Sequence, residues 1–495
     1  MKNPHKLLMI ILDGWGIGPK NKHNAIWRAK TPTMDRLWKE YPHSTLSASG
    51  PAVGLLNRQI GSSEVGHMNI GAGRVVEQEL SRLQRSLKDK SFYKNPVLIN
   101  ALEQAKKNNG RLHLVGLVSP GGVHAHQDHL VALLTLAKQL GCKEVLVHAL
   151  LDGRDTPPAS AERYLLHIQK IMKRLHVGTI ATLCGRFWAM DRDENWHYTD
   201  RAVDLLVNAK GHAFRSMKKA LGDHYRRKVY DEFVEPTVLD PNGTIRSNDS
   251  VIFFNFRADR MRQLVDRISK KVRRIYITTM IPYGVMRHNV HVAFDRVMPT
   301  HHLCQIISEH KLKQLKIAES QKYPHLTYFF NGTREKPYPQ EQRMLIPSED
   351  VKSYDLLPEM SAHAISQAAE KALGKFPIVF INFANADMVG HSGNIAAAIQ
   401  ACQFLDTMIG QIVTTAQKNH YDIIITADHG NAEQMYDPTA KSRHTAHTTN
   451  PVPFILVTEK SISLKSRGAL TNIAPLALEL LDLPKPNEMG PSLQI

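Results

Sequence analysis

Cysteine is scarce in this chain and never paired at short spacing. Cys142, Cys184, Cys304 and Cys402 lie far apart, with no Cys-x-x-Cys among them. That argues against a disulfide framework and against a thiolate zinc site, and it fits a reducing cytoplasm. Long hydrophobic runs are missing too. None approaches the roughly 20 apolar residues that a membrane span needs. The opening Met1 to Lys6 leads directly into a short apolar run, Leu7 to Leu12, that stops at Asp13, so neither secretion nor membrane insertion is expected. Internal repeats and low-complexity tracts are absent, which excludes a repeat architecture. Aromatic residues make up 7% of the chain. They do not interleave with the small basic clusters at Lys218-Lys219, Arg226 to Lys228 and Lys270 to Arg274, as a single-strand nucleic-acid platform requires.

Positive charge is abundant. The formal net charge is +17 over 495 residues, but Lys and Arg are spread along the whole chain. A phosphorylated small-molecule substrate suits such a protein as well as a phosphate backbone does, and no nucleic-acid partner is expected. The length exceeds what one hydrophobic core normally serves, so two domains are expected.

Short apolar or β-branched runs alternate with helical patterns, the signature of α/β architecture with mainly parallel sheets flanked by helices. The expected strands are Leu7 to Leu12, Leu112 to Leu117, Glu144 to Leu150, Thr179 to Leu183, Val251 to Phe256, Arg274 to Thr279, Gln314 to Ala318, Ile378 to Phe383, Asp422 to Thr426 and Phe454 to Val457. The clearest helical periodicities cover Leu130 to Leu140, Ala161 to Leu175, Ser361 to Leu373, Ile395 to Lys418 and Ile473 to Leu481. In open parallel sheets ligands bind beyond the carboxyl ends of the strands. The residues found there are polar: Asp13, then His124 and His126, Asp152, Arg154 and Asp155, Arg186, Arg257 and Arg260, Lys322, Asp387 and His391, and Asp428 and His429.

Two constellations emerge. Asp387-x-x-x-His391, Asp428-His429-Gly430 and His444-Thr-Ala-His447, together with Asp13, supply oxygen and nitrogen ligands for two divalent ions and no thiolate, which suits Mn, Zn or Mg. Gly61 to Arg74 packs two adjacent serines, a histidine and four glycines into fourteen positions. It reads as a turn where backbone bends or approaches a ligand closely, and it offers a serine nucleophile that a metal or base could activate. In the middle of the chain lie Gly121 to His126, Asp152 to Pro158, Gly185-Arg186 with Met190 to Arg192, and Asn255 to Arg260. Five arginine forks in loops at strand ends suit a small, doubly anionic substrate, and beside them a general acid/base role for His124 or His126 becomes credible.

These residues, with Leu12 to Gly16, Ser63 to His67, Leu151 to Pro158, Phe253 to Arg257, Tyr328 to Gly332, Ala427 to Glu433 and His444 to Pro453 in that order, resemble the cofactor-independent (2,3-bisphosphoglycerate-independent) phosphoglycerate mutases, whose phosphatase half belongs to the alkaline phosphatase superfamily. The resemblance covers nearly the whole chain. It implies a metal-binding phosphatase domain at 1–76 and 299–495, interrupted by a phosphotransferase domain at 77–298. It further implies two Mn2+ ions, one held by Asp387, His391 and His447, the other by Asp13, Ser63, Asp428 and His429. His124, Arg154, Asp155, Arg186, Arg192, Arg257, Arg260 and Lys322 would bind the phosphoglycerate, with Lys322 contacting phosphate. Ser63 would be the nucleophile of a phosphoserine reaction interconverting 3- and 2-phosphoglycerate in glycolysis and gluconeogenesis. Asp155 or His124 would move protons, and one domain would close over the other to keep glycerate from escaping. The family expectation is a cytoplasmic monomer. The competing reading is a metal-dependent phosphatase or phosphopentomutase of the same superfamily, which would lack the Arg154-Asp155 and Arg257-to-Arg260 pairs.

Overall fold

The structure is a computed structural model that describes residues 5–295 and 299–495. The chain divides into two compact units, Met1–Gln78 with Met298–Ile495, and Glu79–Val297. Each is built on an eight-stranded, mainly parallel sheet flanked by helices.

In the first unit the strand order across the sheet is Glu341–Ile346, Gln314–Glu319, Ile378–Phe383, Leu7–Leu12, Asp422–Thr426, Val452–Val457, His43–Ser47 and Arg467–Ala469. The central strands are buried at every position of Leu7–Leu12 and Ile378–Phe383. This is why they read as continuous apolar runs rather than alternating ones: a parallel sheet is covered on both faces. Val452–Val457 runs antiparallel to both of its neighbours. The long helix Ile395–Lys418 starts at an Asn394 cap, whose side chain accepts from Ala397 N at 3.3 Å. It buries one apolar face that includes Leu405, Ile409, Ile412 and Val413.

The second unit orders its strands Val290–Val292, Tyr276–Thr279, Ser250–Phe253, Leu112–Leu117, Val145–Leu151, Thr179–Gly185, Thr237–Val238 and His212–Ala213. Among the described residues, its one antiparallel pairing joins Thr179–Gly185 to Thr237–Val238. The helix Ala161–Leu175 lies where its periodicity places it, burying Tyr164, Leu165, Ile168, Ile171 and Met172. Among the described residues, no helix is long and apolar enough to cross a membrane.

Candidate functional site

In the first unit, Leu12 lies opposite Phe383, and Ile11 opposite Thr426. This parallel register brings three central strands out at the same edge, so the residues that follow them, Asp13, Asp387 and Asp428, meet there. All three are buried.

Ser63 arrives from a different element than the sequence suggested. The glycine-rich stretch is not a turn: Ser63 is the first residue of a helix, Ser63–Ala72, and Ser62 caps it by accepting from Val65 N at 3.4 Å. Glycine inside a helix costs about 1 kcal/mol relative to alanine. Here it permits close approach of two backbones. A Cβ on Gly66 would stand 2.5 Å from the Asp428 carbonyl oxygen, and one on Gly71 would stand 2.0 Å from that of Phe330.

Ser63 Oγ donates to Asp13 Oδ1 at 3.1 Å, lies 3.0 Å from His429 Nε2, and accepts from Lys322 Nζ at 2.7 Å. Lys322 also donates to Asp13 Oδ1 at 2.7 Å and to Asp387 Oδ2 at 2.6 Å. The structure thus sets Lys322, grouped by resemblance with the substrate ligands, among the groups around Ser63 Oγ. Burial pushes the Asp13 and Asp387 carboxyls up, but the Lys322 ammonium and the neighbouring imidazoles together outweigh it and hold both well below the usual range. Burial opposes the charge on His429 as well, yet Asp428 and Asp13 raise it to about 9.

The donor set fits divalent cations. His391 Nδ1 lies 2.7 Å from Thr445 O, and His447 Nδ1 lies 2.9 Å from Gly61 O. A carbonyl only accepts, so both Nδ1 atoms carry a proton, and in the neutral rings, the form that binds a metal, both Nε2 atoms present lone pairs. Those two lone pairs face each other at 3.1 Å and stand 3.2 Å and 3.1 Å from Asp387 Oδ1. Three donors converging on one point without a proton among them match a cation site. His444 does not join this group. Around Ser63, the ligand atoms of Asp13, Asp387 and His429 also cluster, as do those of Asp13, His67 and Asp428, and Asp428 Oδ2 is buried without a hydrogen bond.

Two residues of this region escaped the sequence reading. Asn382 donates to Asp13 Oδ2 and to His67 Nε2, each at 3.0 Å. His67 must then carry its proton on Nδ1, which points at Ser63 O (2.9 Å) and Asp428 Oδ2 (3.2 Å). His67 therefore fixes the first turn of the Ser63–Ala72 helix and stands beside Asp428. The available signal for Asn382 was a lone amide within the apolar strand Ile378–Phe383.

The second unit gathers the other candidates. Arg186 is buried and donates from Nη1 to Asp152 Oδ1 (2.7 Å) and Asp155 Oδ2 (2.6 Å). Asp152 in turn accepts from Ser119 Oγ at 2.6 Å and from Asp155 N at 2.9 Å. His124 is buried and is joined to the arginine loop by Phe256 N donating to His124 O at 2.8 Å. Burial, with Arg186 and Arg257 nearby, pushes its imidazole down to about 3, so it is neutral. Arg260 donates to Met190 O at 3.1 Å. Arg192 and Arg257 both pair with Asp259, and Arg154 stands 3.5 Å from Glu232 with 61% of its side chain exposed. His126 is spent as a helix cap, accepting from Asp128 N.

The metalloenzyme superfamily matches residues 5–485 of the chain. The 2,3-bisphosphoglycerate-independent phosphoglycerate mutase of Moorella thermoacetica is 47% identical, over 98% of this chain and 98% of its own. The protein of the same name from Francisella tularensis is 43% identical, over 97% of each. Among solved structures, Leishmania mexicana phosphoglycerate mutase at low cobalt concentration superimposes with a TM-score of 0.73 at 29% identity, covering 100% of this chain and 98% of that one. With its converging carboxylates and imidazoles and this full-length similarity, the chain belongs to the metalloenzyme superfamily and, within it, to the 2,3-bisphosphoglycerate-independent phosphoglycerate mutases.

Proposed function

We propose that this enzyme interconverts 3-phosphoglycerate and 2-phosphoglycerate through a phosphoserine at Ser63, with two divalent metals, Mn2+ by preference, and without 2,3-bisphosphoglycerate. The reading assigns phosphoryl transfer to Met1–Gln78 with Met298–Ile495, and grip on the glycerate to Glu79–Val297. It makes the protein a cytoplasmic monomer serving glycolysis and gluconeogenesis. The observation that carries it is the setting of Ser63 Oγ, within 3.1 Å of Asp13, Lys322 and His429 at the first turn of a helix.

Asp387, His391 and His447 would hold one ion, and Asp13, Asp428, His429 and Ser63 Oγ the other. When bound, such ions lower the pKa of a hydroxyl nucleophile and neutralise phosphoryl charge. The protein's own groups do the rest. Ser63 Oγ forms the bond to phosphorus as the ester bond to one glycerate oxygen breaks, and the other hydroxyl later takes the phosphoryl group back. The positive end of the Ser63–Ala72 helix favours the phosphoryl oxygens. Lys322 supplies a fixed positive charge beside Ser63 Oγ. Arg186, Arg192, Arg257 and Arg260, with Arg154, grip phosphate and carboxylate in bidentate fashion. Asp155 or neutral His124 would relay protons on the glycerate hydroxyls.

The test is turnover of 3-phosphoglycerate by purified protein with Mn2+ and no added bisphosphoglycerate. Conversion to 2-phosphoglycerate, lost on chelation and regained with Mn2+, is expected. A requirement for bisphosphoglycerate, or release of inorganic phosphate as the main product, would sink the reading.

A further inference from the structure

Asp259 stands where an anion-gripping cluster would be expected to carry positive charge alone. Its Oδ2 accepts from Arg192 Nη1 at 3.1 Å, and its Oδ1 lies 3.2 Å from Arg257 Nε and 3.9 Å from His124 Nδ1. Burial pushes this carboxyl up, but Arg257 and Arg192 outweigh it and keep it ionised. The other carboxylates of the cluster are held differently. Asp152 and Asp155 are locked by the buried Arg186, which offsets part of their charge inside the fold. Asp259 is paired instead with two arginines whose side chains are each 47% exposed. A pair that close to water is worth little and exchanges readily. Arg192 and Arg257 therefore have two alternative anions to hold: Asp259, or a carboxylate or phosphate arriving from outside.

We propose that Asp259 is a positioning residue that acts through Arg192 and Arg257. It holds their guanidinium groups in the cluster while no substrate is bound, and it competes with the anionic substrate for them, so that the glycerate is gripped no more tightly than release allows. This rests on the reading of the cluster as the phosphoglycerate site. The physical reason is that grip shared equally by ground and transition states does not speed turnover, and excess grip slows product release. Removing the competing charge while keeping the shape should therefore tighten binding and slow turnover together.

The experiment is steady-state kinetics of full-length Asp259→Asn and Asp259→Glu with 3-phosphoglycerate, beside wild type and with thermal unfolding of each as a check on folding. For Asp259→Asn, KM falls by about 3- to 10-fold, the change that loss of one nearby like charge at a half-exposed site brings, and kcat falls as well. Asp259→Glu, which restores the charge, returns both constants toward wild type. A merely structural role would move KM upward or lower kcat alone, and would leave Glu no better than Asn. KM unchanged or raised in a folded Asp259→Asn protein, with wild type active, overturns the inference. If Asp259→Asn does not fold, Asp259→Ser is read by the same criterion. Wild type unable to convert 3-phosphoglycerate overturns instead the functional reading on which the inference rests.

Discussion

The two units handle charge in opposite ways. In the first, Asp13, Asp387, Asp428, Lys322 and His429 are buried together and interlocked at hydrogen-bond distance. In the second, Arg186 is buried, while Arg154, Arg192 and Arg257 keep about half or more of their side chains in water. A buried charge must be compensated on every side, and removing one partner leaves the others uncompensated. A solvated charge can change partners at little cost. The first arrangement suits a reaction whose geometry must be fixed in advance; the second suits a ligand that has to arrive, turn and leave.

The largest expected effect falls on the buried cluster. Ser63→Ala removes the proposed nucleophile and should lower kcat by more than about 1000-fold in the mutase assay while 3-phosphoglycerate still binds, as isothermal calorimetry would read. Full activity in that variant would break the contrast at its centre. Within the second unit, Arg186→Met strands Asp152 and Asp155 and should cost about 3–5 kcal/mol in urea denaturation. Arg154→Ala, at a 61% exposed side chain, should stay within about 0.5 kcal/mol. Equal losses would erase the distinction between locked and solvated arginines.

Acid should also separate them. Burial pushes His124 and His129 down to about 3, below the ordinary histidine value near 6.5. The unfolded chain thus takes up protons first as pH falls. The stability that depends on these neutral rings is whole above about pH 6.5 and is lost progressively toward pH 3, by up to about 1.4 kcal/mol per pH unit for each ring. His129 has neither ring nitrogen hydrogen-bonded. His129→Leu should therefore stabilise the protein more at pH 5 than at pH 7, and an identical gain at both would contradict the assignment. A modest effect belongs to Ser62→Ala, which removes a helix cap and should cost about 1 kcal/mol in thermal unfolding with kcat changed far less than by Ser63→Ala.

Much of this was legible in the sequence where periodicity and burial agree. Leu7–Leu12, Leu112–Leu117, Ile378–Phe383 and Asp422–Thr426 are strands at the residues their apolar runs suggest, as are the helices Ala161–Leu175 and Ile395–Lys418. Other bounds shift by a few residues: Ser250–Phe253 and Tyr276–Thr279 are shorter than expected, and Val452–Val457 begins earlier through its proline. Strands at the sheet margins were hidden, because Glu341–Ile346 and His43–Ser47 keep polar residues where one face meets water. The helix Ser63–Ala72 was hidden for the opposite reason. It is buried at eight of its ten positions, so it has no polar face to set a helical period. Carboxylates after strands were readable because parallel strands end together. Asn382, His67 and the inward turn of Lys322 depend on contacts between segments far apart in the chain, and no local pattern encodes those.

The same separation bears on how the protein is made. Ser63 Oγ and His429 Nε2 touch across 366 positions, and the strand Leu7–Leu12 pairs with Ile378–Phe383 and Asp422–Thr426. On a ribosome, the opening segment would emerge with its apolar strand unpartnered and wait through synthesis of all of Glu79–Val297 before its neighbours exist. The second unit, contiguous in the chain, meets no such delay. Assembly of the reactive centre is thus a late event in biosynthesis, and the exposed Leu7–Leu12 is the segment that most needs shielding until then.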